Sequence, residues 1–306
     1  MSISYEKEYE FIVERAKALG KPARVVVAGA DAENILKGVF MAQDEGFVEP
    51  VLVGREAKMQ KTLAALGFSD RKFEFHAIDI STNPVQYAIE MINSGDADIL
   101  VRGNTQTRDF LMAILNKANH MIDPGALVTH VQMLKIPGYE KLLGISDVTL
   151  LIAPSADERK EVAVNLVKAL NLCGVEKPSI ALLAMIETPA FHMRDTVEDQ
   201  TIVKNHQRKP IADCNLAGPI SYDLIMSKEA ARLKNYDCPY CGEFDGIVVP
   251  TLMSGNLMVK VLEQTAGASG FGILMGTKVP VSISGRSEGP EATFLSLACC
   301  VSMLNK

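Results

Sequence analysis

Residues 245–291 read DGIVVPTLMSGNLMVKVLEQTAGASGFGILMGTKVPVSISGRSEGPE. The stretch opens on Ile247-Val248-Val249, a continuous β-branched run stopped by Pro250. A strand buried on both faces has that composition, whereas a half-exposed strand alternates. Ser254-Gly255-Asn256 follows, and then Leu257, Met258, Val261 and Leu262 at helical spacing. The spacing predicts a helix whose free N–H groups Ser254 caps and whose start Gly255 opens to close approach. A helix start carries unpaired donors and about half a positive charge, so it favours an anion. Lys260, one turn further in, adds a full charge. Small and glycine residues crowd positions 267–272, a second apolar strand runs to Met275, and the chain reaches Val281-Ser282-Ile283-Ser284-Gly285-Arg286-Ser287-Glu288. Here a strand ends in hydroxyls and an arginine, whose planar fork suits phosphate. Each piece alone reads more simply as a turn, a cap or a solvated arginine. Together, two backbone anion sites and a basic side chain within one βαβ unit point to a phosphate-bearing ligand.

The flanking sequence repeats the same alternation. Strands are expected at 24–28, 49–53, 73–78, 98–101, 128–134, 148–152 and 179–185. Helices are expected at 4–19, after Asp31 as N-cap, at 58–66, from Asn83-Pro84, after Thr107, behind Ser155 with its capping-box partner Glu158, at 220–234 and at 291–304. Residues 187–213 are polar and weakly periodic. They pack against a partner subunit or hold the outer edge of a sheet; the sequence leaves both open. Continuous strands alternating with helices predict an α/β fold with mainly parallel sheet. The strand–glycine–helix step at 24–31 invites a dinucleotide reading, but the G-x-G-x-x-G spacing is missing. Arg102, Gly103, Thr105 and Thr107 follow the strand at 98–101. They fall at the carboxyl end of a parallel strand, where open α/β sheets bind ligands; a plain polar loop reads equally well.

Composition narrows the function. A chain of 306 residues with 48% hydrophobic content suggests about two domains with a large core. The net charge of −6 comes from 31 basic and 37 acidic residues mixed along the chain, without the basic stripe of a nucleic-acid protein. Small anions stay open, since a local cluster suffices for them. The first twenty or so residues are charged and helical in pattern, with no apolar core of a signal peptide. No apolar run approaches the ~18 residues that span a bilayer. The six cysteines are spread along the chain, which at this length reads as free thiols in a reducing cytoplasm. Cys238-Pro239-Tyr240-Cys241 lacks the second pair that zinc requires and does not open a helix after a strand as a redox motif would; it reads first as a loop of unpaired thiols, with incidental metal or disulfide formation as the lesser reading. The histidines show no metal-ligand spacing, so no metal is expected, and no G-x-S-x-G elbow signals a serine nucleophile. His130 reads first as a satisfied core histidine.

Several of these stretches carry a family resemblance. Gly255-Asn256 with Lys260, the glycine-rich run after it, and Arg286-Ser287-Glu288 with Glu291 are similar to phosphate acetyltransferases and phosphate butyryltransferases. So are 98–103, His130-Val131, 137–143, Ser146-Asp147 with Pro154, and 218–223. The resemblance covers nearly the whole chain and is closer to the butyryl branch. It implies two α/β domains with mainly parallel sheets flanked by helices and an interdomain cleft, as in isocitrate and isopropylmalate dehydrogenases. Residues 1–137 with 286–306 would form the first domain and 138–285 the second, the C-terminal helix returning to the first. It implies reversible transfer of a short or branched acyl group between coenzyme A and inorganic phosphate, by direct attack in a ternary complex. No permanently bound cofactor is implied; coenzyme A is a substrate, with acyl-coenzyme A, phosphate and acyl phosphate as the small-molecule partners of a cytoplasmic homodimer or higher homo-oligomer.

In that setting Arg286 holds the phosphoryl group, Ser284 or Ser287 stabilises the oxyanion, and Glu288 or Glu291 takes the thiol proton. Gly255, Asn256, Lys260, Arg102, Thr105, His130 and Asp147 line the substrates. Acetyl-type members carry serine directly before the arginine, where this chain has Gly285, and aspartate six residues after it, where this chain has Ala292; Ser146-Asp147 stands for their Thr-Asp. The butyryl-type acids two and five residues after the arginine are kept as Glu288 and Glu291. Two rival readings are a non-catalytic acyl-coenzyme A or phosphate binding protein, suggested by Gly285, and an NAD- and metal-dependent hydroxyacid dehydrogenase of related two-domain shape.

Overall fold

Short β-branched runs separated by amphipathic helices leave the chain one economical solution, a sheet with helices packed on its faces. The computed structural model describes residues 7–285 and 288–305. It divides into two units, Met1–Val128 with Phe271–Lys306, and Thr129–Gly270. The chain leaves the first unit after Val128 and returns at Phe271, earlier in both cases than positions 138 and 286. No helix of the described residues is long and apolar enough to cross a membrane.

The first unit runs α1 (Glu10–Lys17), β1 (Ala23–Ala28), α2 (Glu33–Asp44), β2 (Val48–Gly54), α3 (Glu56–Leu66), β3 (Glu74–Ala77), α4 (Pro84–Ser94), β4 (Ile99–Arg102) and α5 (Thr107–Leu115). The second holds β5 (Thr129–Lys135), β6 (Leu142–Ser146), α6 (Ala156–Leu172), β7 (Ser179–Leu183), α7 (Arg194–Arg208), β8 (Asn215–Ile220), α8 (Tyr222–Met226), α9 (Lys228–Lys234), β9 (Gly246–Val248) and α10 (Leu252–Thr265). The chain then continues through β10 (Ser269–Met275), β11 (Val281–Ser282) and α11 (Pro290–Ser302).

Strand order in the first unit is β3-β2-β1-β4-β11-β10. All pairs are parallel except β10 with β11. The central strands are closed off on both faces: Val25, Val26, Val51, Leu52, Ile99 and Leu100 are fully buried, which is why they read as continuous apolar runs. α11 carries no charged residue after its first turn and is buried from Ala292 to Ser302, as a helix without a charged face is. It packs against α2 and α1, and Gly38 on α2 permits the approach, since a Cβ there would fall 2.6 Å from the Thr293 Cβ. Asp31 does not cap α2; the helix starts one residue after Ala32, with no side-chain cap.

Strand order in the second unit is β5-β6-β9-β7-β8, antiparallel only between β5 and β6. Three elements depart from the sequence expectations. The strand expected at 148–152 is a loop, and the strand precedes it as β6. Asp147 is the cause: its carboxylate accepts the Thr149 and Leu150 N–H groups at 2.6 and 2.7 Å, consuming donors that a strand would pair. The helix expected at 220–234 is broken, because Ile220 ends β8 and Ser227 caps α9 through Ala230 N–H. β8 contains Gly218 and Pro219, residues tolerated at the sheet edge where it lies. Within 187–213, residues 194–208 form α7, whose buried face is Thr196, Asp199, Ile202 and His206. Polar groups occupy most of that face, paired as they must be: His206 Nε2 with the Cys214 carbonyl at 3.1 Å, and Asp199 with Arg159 at 3.3 Å.

Candidate active site

The chemistry-bearing residues gather in two clusters, one per unit, each at the carboxyl ends of parallel strands. In the first unit β1 and β4 are neighbours whose following loops would diverge in an open sheet. Here those loops are zipped together. Gly103 N–H donates to the Ala28 carbonyl at 3.0 Å and Asn104 N–H to the Gly29 carbonyl at 2.7 Å. Gly29 takes a positive φ of 82°, and any Cβ on Gly103 would collide with the Ala28 and Gly29 carbonyls. The loop after β1 is thereby packed against the chain's own backbone.

Arg102 ends β4 and is 3% exposed. One guanidinium nitrogen donates to Thr107 Oγ1 and the other to the Ser284 carbonyl. The fork therefore ties the βα loop to the segment after β11. Beyond it, Glu288 N–H donates to the Gly285 carbonyl at 3.1 Å, and Asn34 on α2 holds the Glu288 carbonyl at 2.9 Å. The Glu288 side chain folds back over Gly285, where a Cβ would fall 3.0 Å from Glu288 Cδ and closer still to its carboxylate. The glycine that replaces the acetyl-type serine thus makes room for this carboxylate. Ser284 is 2% exposed and its Oγ, like Thr105 Oγ1, is buried with no hydrogen-bond partner among the described residues. Glu291 lies exposed in the first turn of α11, where the helix start favours its charge. Arg286 and Ser287, the central expectations of the sequence, lie outside the described residues.

The second cluster sits where β6, β9 and α10 meet. α10 begins at Leu252 with Thr251 as its cap, and Thr251 and Ser254 form a reciprocal capping box. Ser254 is therefore the inner member of the box and not the cap, and Gly255 and Asn256 lie inside the helix. What comes close to Gly255 is the chain itself: a Cβ there would fall 2.7 Å from the Asp147 carbonyl and 2.8 Å from Val249 Cγ2. Asn256 Nδ2 donates to the Val148 carbonyl at 3.2 Å. Lys260 is exposed and eight residues past the helix start, about 12 Å along the axis, so its charge does not add to the anion-favouring end.

His130 on β5 is 8% exposed and its Nδ1 bonds Thr149 Oγ1. Asp147 is 2% exposed; one oxygen accepts His130 N–H at 2.9 Å and the other the Thr149 and Leu150 N–H groups. Burial pushes its carboxyl above the usual range, opposed by those backbone donors. Both oxygens are occupied in holding the β5–β6 edge.

Sequence reasoning overlooked Asn34 and Thr149, which serve the clusters by bonding other members. Only Thr251 carried a readable signal, a hydroxyl three residues before Ser254 at the end of an apolar run. Among the described residues no group of three His, Cys, Asp or Glu is arranged to hold a metal ion.

Residues 71–298 match the family model described as phosphate acetyl/butaryl transferase. The chain is 30% identical to the phosphate acetyltransferase of Thermotoga maritima, over 94% of this chain and 97% of that one. It is 28% identical to the phosphate butyryltransferase of Clostridium acetobutylicum, over 95% and 96% of the two chains. Among solved structures, a branched-chain phosphotransacylase from Enterococcus faecalis superposes with a TM-score of 0.79 at 26% identity, covering 92% of this chain and 99% of that one. None of these supports the dehydrogenase reading or a binding protein without catalysis. The chain belongs to the phosphate acetyl/butyryl transferase family, and is a phosphate acyltransferase.

Proposed function

We propose that this acyltransferase moves a short or branched acyl group, butyryl in preference to acetyl, between coenzyme A and inorganic phosphate. The observation that carries the preference is the contact between Gly285 and Glu288. The chain keeps both butyryl-type acids, Glu288 and Glu291, and seats the Glu288 side chain over a glycine where the acetyl-type serine would displace it.

A phosphate oxygen attacks the thioester carbonyl directly, the tetrahedral intermediate collapses, and the coenzyme A thiolate leaves; the reverse step is thiolate attack on acyl phosphate. Neither direction calls for a covalent enzyme intermediate. Arg286 grips the phosphoryl group. Ser284 Oγ, with Ser287, donates to the oxyanion, where preorganised donors are worth most. Glu288 or Glu291 exchanges the thiol proton; a free thiol titrates near 8.5, so a carboxylate within reach is enough. Arg102 positions Ser284 through its carbonyl, and Thr105 lies in the loop that follows Arg102. In the second unit, Asp147, His130 and Asn256 hold the start of α10 in place, and Lys260 offers a surface charge to the coenzyme.

Phosphate-dependent thiol release from an acetyl to valeryl series of acyl-coenzyme A esters tests this. The reading expects kcat/KM to peak at butyryl or isobutyryl. A peak at acetyl overturns the chain-length assignment, and no phosphate-dependent release with any ester overturns the reaction.

A further inference from the structure

The Cys238-Pro239-Tyr240-Cys241 stretch is not used by the transfer reaction, and its geometry is specific. Cys241 N–H donates to the Cys238 carbonyl at 3.3 Å, closing a four-residue turn with Pro239 at the position its fixed φ suits. Gly242 follows at a φ of 74° and its N–H donates to the Ile225 carbonyl at 3.0 Å. A Cβ on Gly242 would fall 2.8 Å from the Lys228 nitrogen, so the turn is seated firmly on the α8–α9 corner. Tyr240 stacks edge-on against Phe244, their centroids 6.1 Å apart. The ends of such a turn lie within about 7 Å, which covers the roughly 4.4–6.8 Å between Cα atoms that a disulfide takes. Cys238 is partly exposed and Cys241 is 3% exposed, within the core of the second unit. The other four cysteines are all buried.

We propose that Cys238 and Cys241 are a thiol–disulfide modification site, oxidised reversibly by low-molecular-weight disulfides. The Cys238 thiolate attacks one sulfur of the small disulfide; that S–S bond breaks and one small thiolate leaves and takes up a proton. Cys241 then gives up its proton and attacks the Cys238 sulfur of the mixed disulfide, releasing the second small thiol. Two protein thiols are oxidised by two electrons and one small disulfide is reduced to two thiols. Entry is at Cys238 because it is the accessible sulfur. Closure at Cys241 is the slower step, since its thiolate must form in the core.

Incubation of the folded, reduced protein with oxidised glutathione, then acid quench, unfolding, alkylation and peptide mass analysis, tests this. The expected result is that alkylation reaches the six cysteines less this pair, and that the peptide carrying both has lost two hydrogens and bears no glutathione. Dithiothreitol restores all six. Cys238→Ser, at a partly exposed position, keeps every remaining thiol alkylatable. Alkylation of all six in the wild type overturns the proposal, and so does glutathione retained on Cys238 without closure. The wild-type count stands even where the variant folds poorly.

Discussion

Replacing Gly255 by alanine sets two effects of known sign against each other. Gly255 is the fourth residue of α10, and alanine in a helix interior gains about 0.5–1 kcal/mol over glycine. Against this, the new methyl would fall 2.7 Å from the Asp147 carbonyl and 2.8 Å from Val249 Cγ2. Neither neighbour yields easily. The Asp147 backbone is pinned because its own carboxylate accepts three N–H groups, from His130, Thr149 and Leu150. Overpacking of a fixed site costs about 1–3 kcal/mol, and straining the Asn256–Val148 hydrogen bond costs about 1 more. The clash wins by roughly 1–3 kcal/mol, which at ~2–4 °C per kcal/mol lowers Tm by about 2–12 °C. Thermal unfolding measures this, with thiol release as the second readout. Gly267→Ala is the control: it strains a φ of 70° but meets only Pro137 Cγ, at 3.8 Å. It should cost about 1 kcal/mol and leave kcat/KM unchanged, whereas Gly255→Ala should lose activity as well as stability. A Gly255→Ala protein as stable as the wild type would refute the argument that the start of α10 is locked onto the β6 end.

Three further outcomes follow from the same contacts. Arg102→Lys keeps the charge but cannot hold Thr107 Oγ1 and the Ser284 carbonyl together; kcat/KM for thiol release should fall about 10–100-fold with the fold retained by circular dichroism. Gly285→Ser should displace the Glu288 side chain and lower kcat by about 100-fold, and in a double-mutant cycle with Glu288→Ala the two losses should not add; additive losses would show that the serine acts by another route. Burial pushes the Asp199 carboxyl up to about 7. The folded state then holds a proton that the unfolded state releases, so this residue's contribution falls as pH rises from about 4 to 7. Asp199→Asn should flatten that part of the urea-midpoint profile, and an unchanged slope would count against the assignment.

The alternation of strand and helix was legible because the central strands are buried on both faces. Val25–Ala28, Val51–Val53 and Ile99–Val101 could be read one after another as continuous apolar runs. The elements that escaped lack that signature for identifiable reasons. β6 is short and contains Gly144, whose missing Cβ admits Leu166 Cδ1, which would lie 2.7 Å from it. β8 carries Gly218 and Pro219 at the sheet edge, and α7 buries polar groups where the helical period expects apolar ones. At the site, the Ser284–Glu288 segment was placed at a strand end from its hydroxyls and acids. The start of α10 was misplaced by a few residues, because Thr251 and Ser254 both look like caps and in fact form one box. A glycine reports only that something approaches closely, and the sequence could not say that at Gly255 it is the Asp147 carbonyl.

That last point changes where the reactive groups should be sought. Polar residues at the ends of parallel strands attract functional readings, yet most of those here are occupied with backbone. Asp147 holds three N–H groups, Asn256 holds Val148, and the loops after β1 and β4 are zipped by their own amides. A buried guanidinium needs hydrogen-bond partners to offset its desolvation, and Arg102 finds two of them in Thr107 and in the carbonyl of Ser284. That second bond ties the end of β4 to Ser284. Ser284 Oγ, by contrast, is buried with no hydrogen-bond partner among the described residues, although an unsatisfied hydroxyl costs about 1–3 kcal/mol. A group left unsatisfied beside a held backbone suits the donor role proposed for Ser284. The chemistry should therefore respond more steeply to the geometry of 284–288 than to the charge of any residue in the second cluster. Gly285→Ser should accordingly reduce turnover more than Lys260→Ala, and the reverse ranking would move the proposed reacting centre away from Ser284 and Glu288.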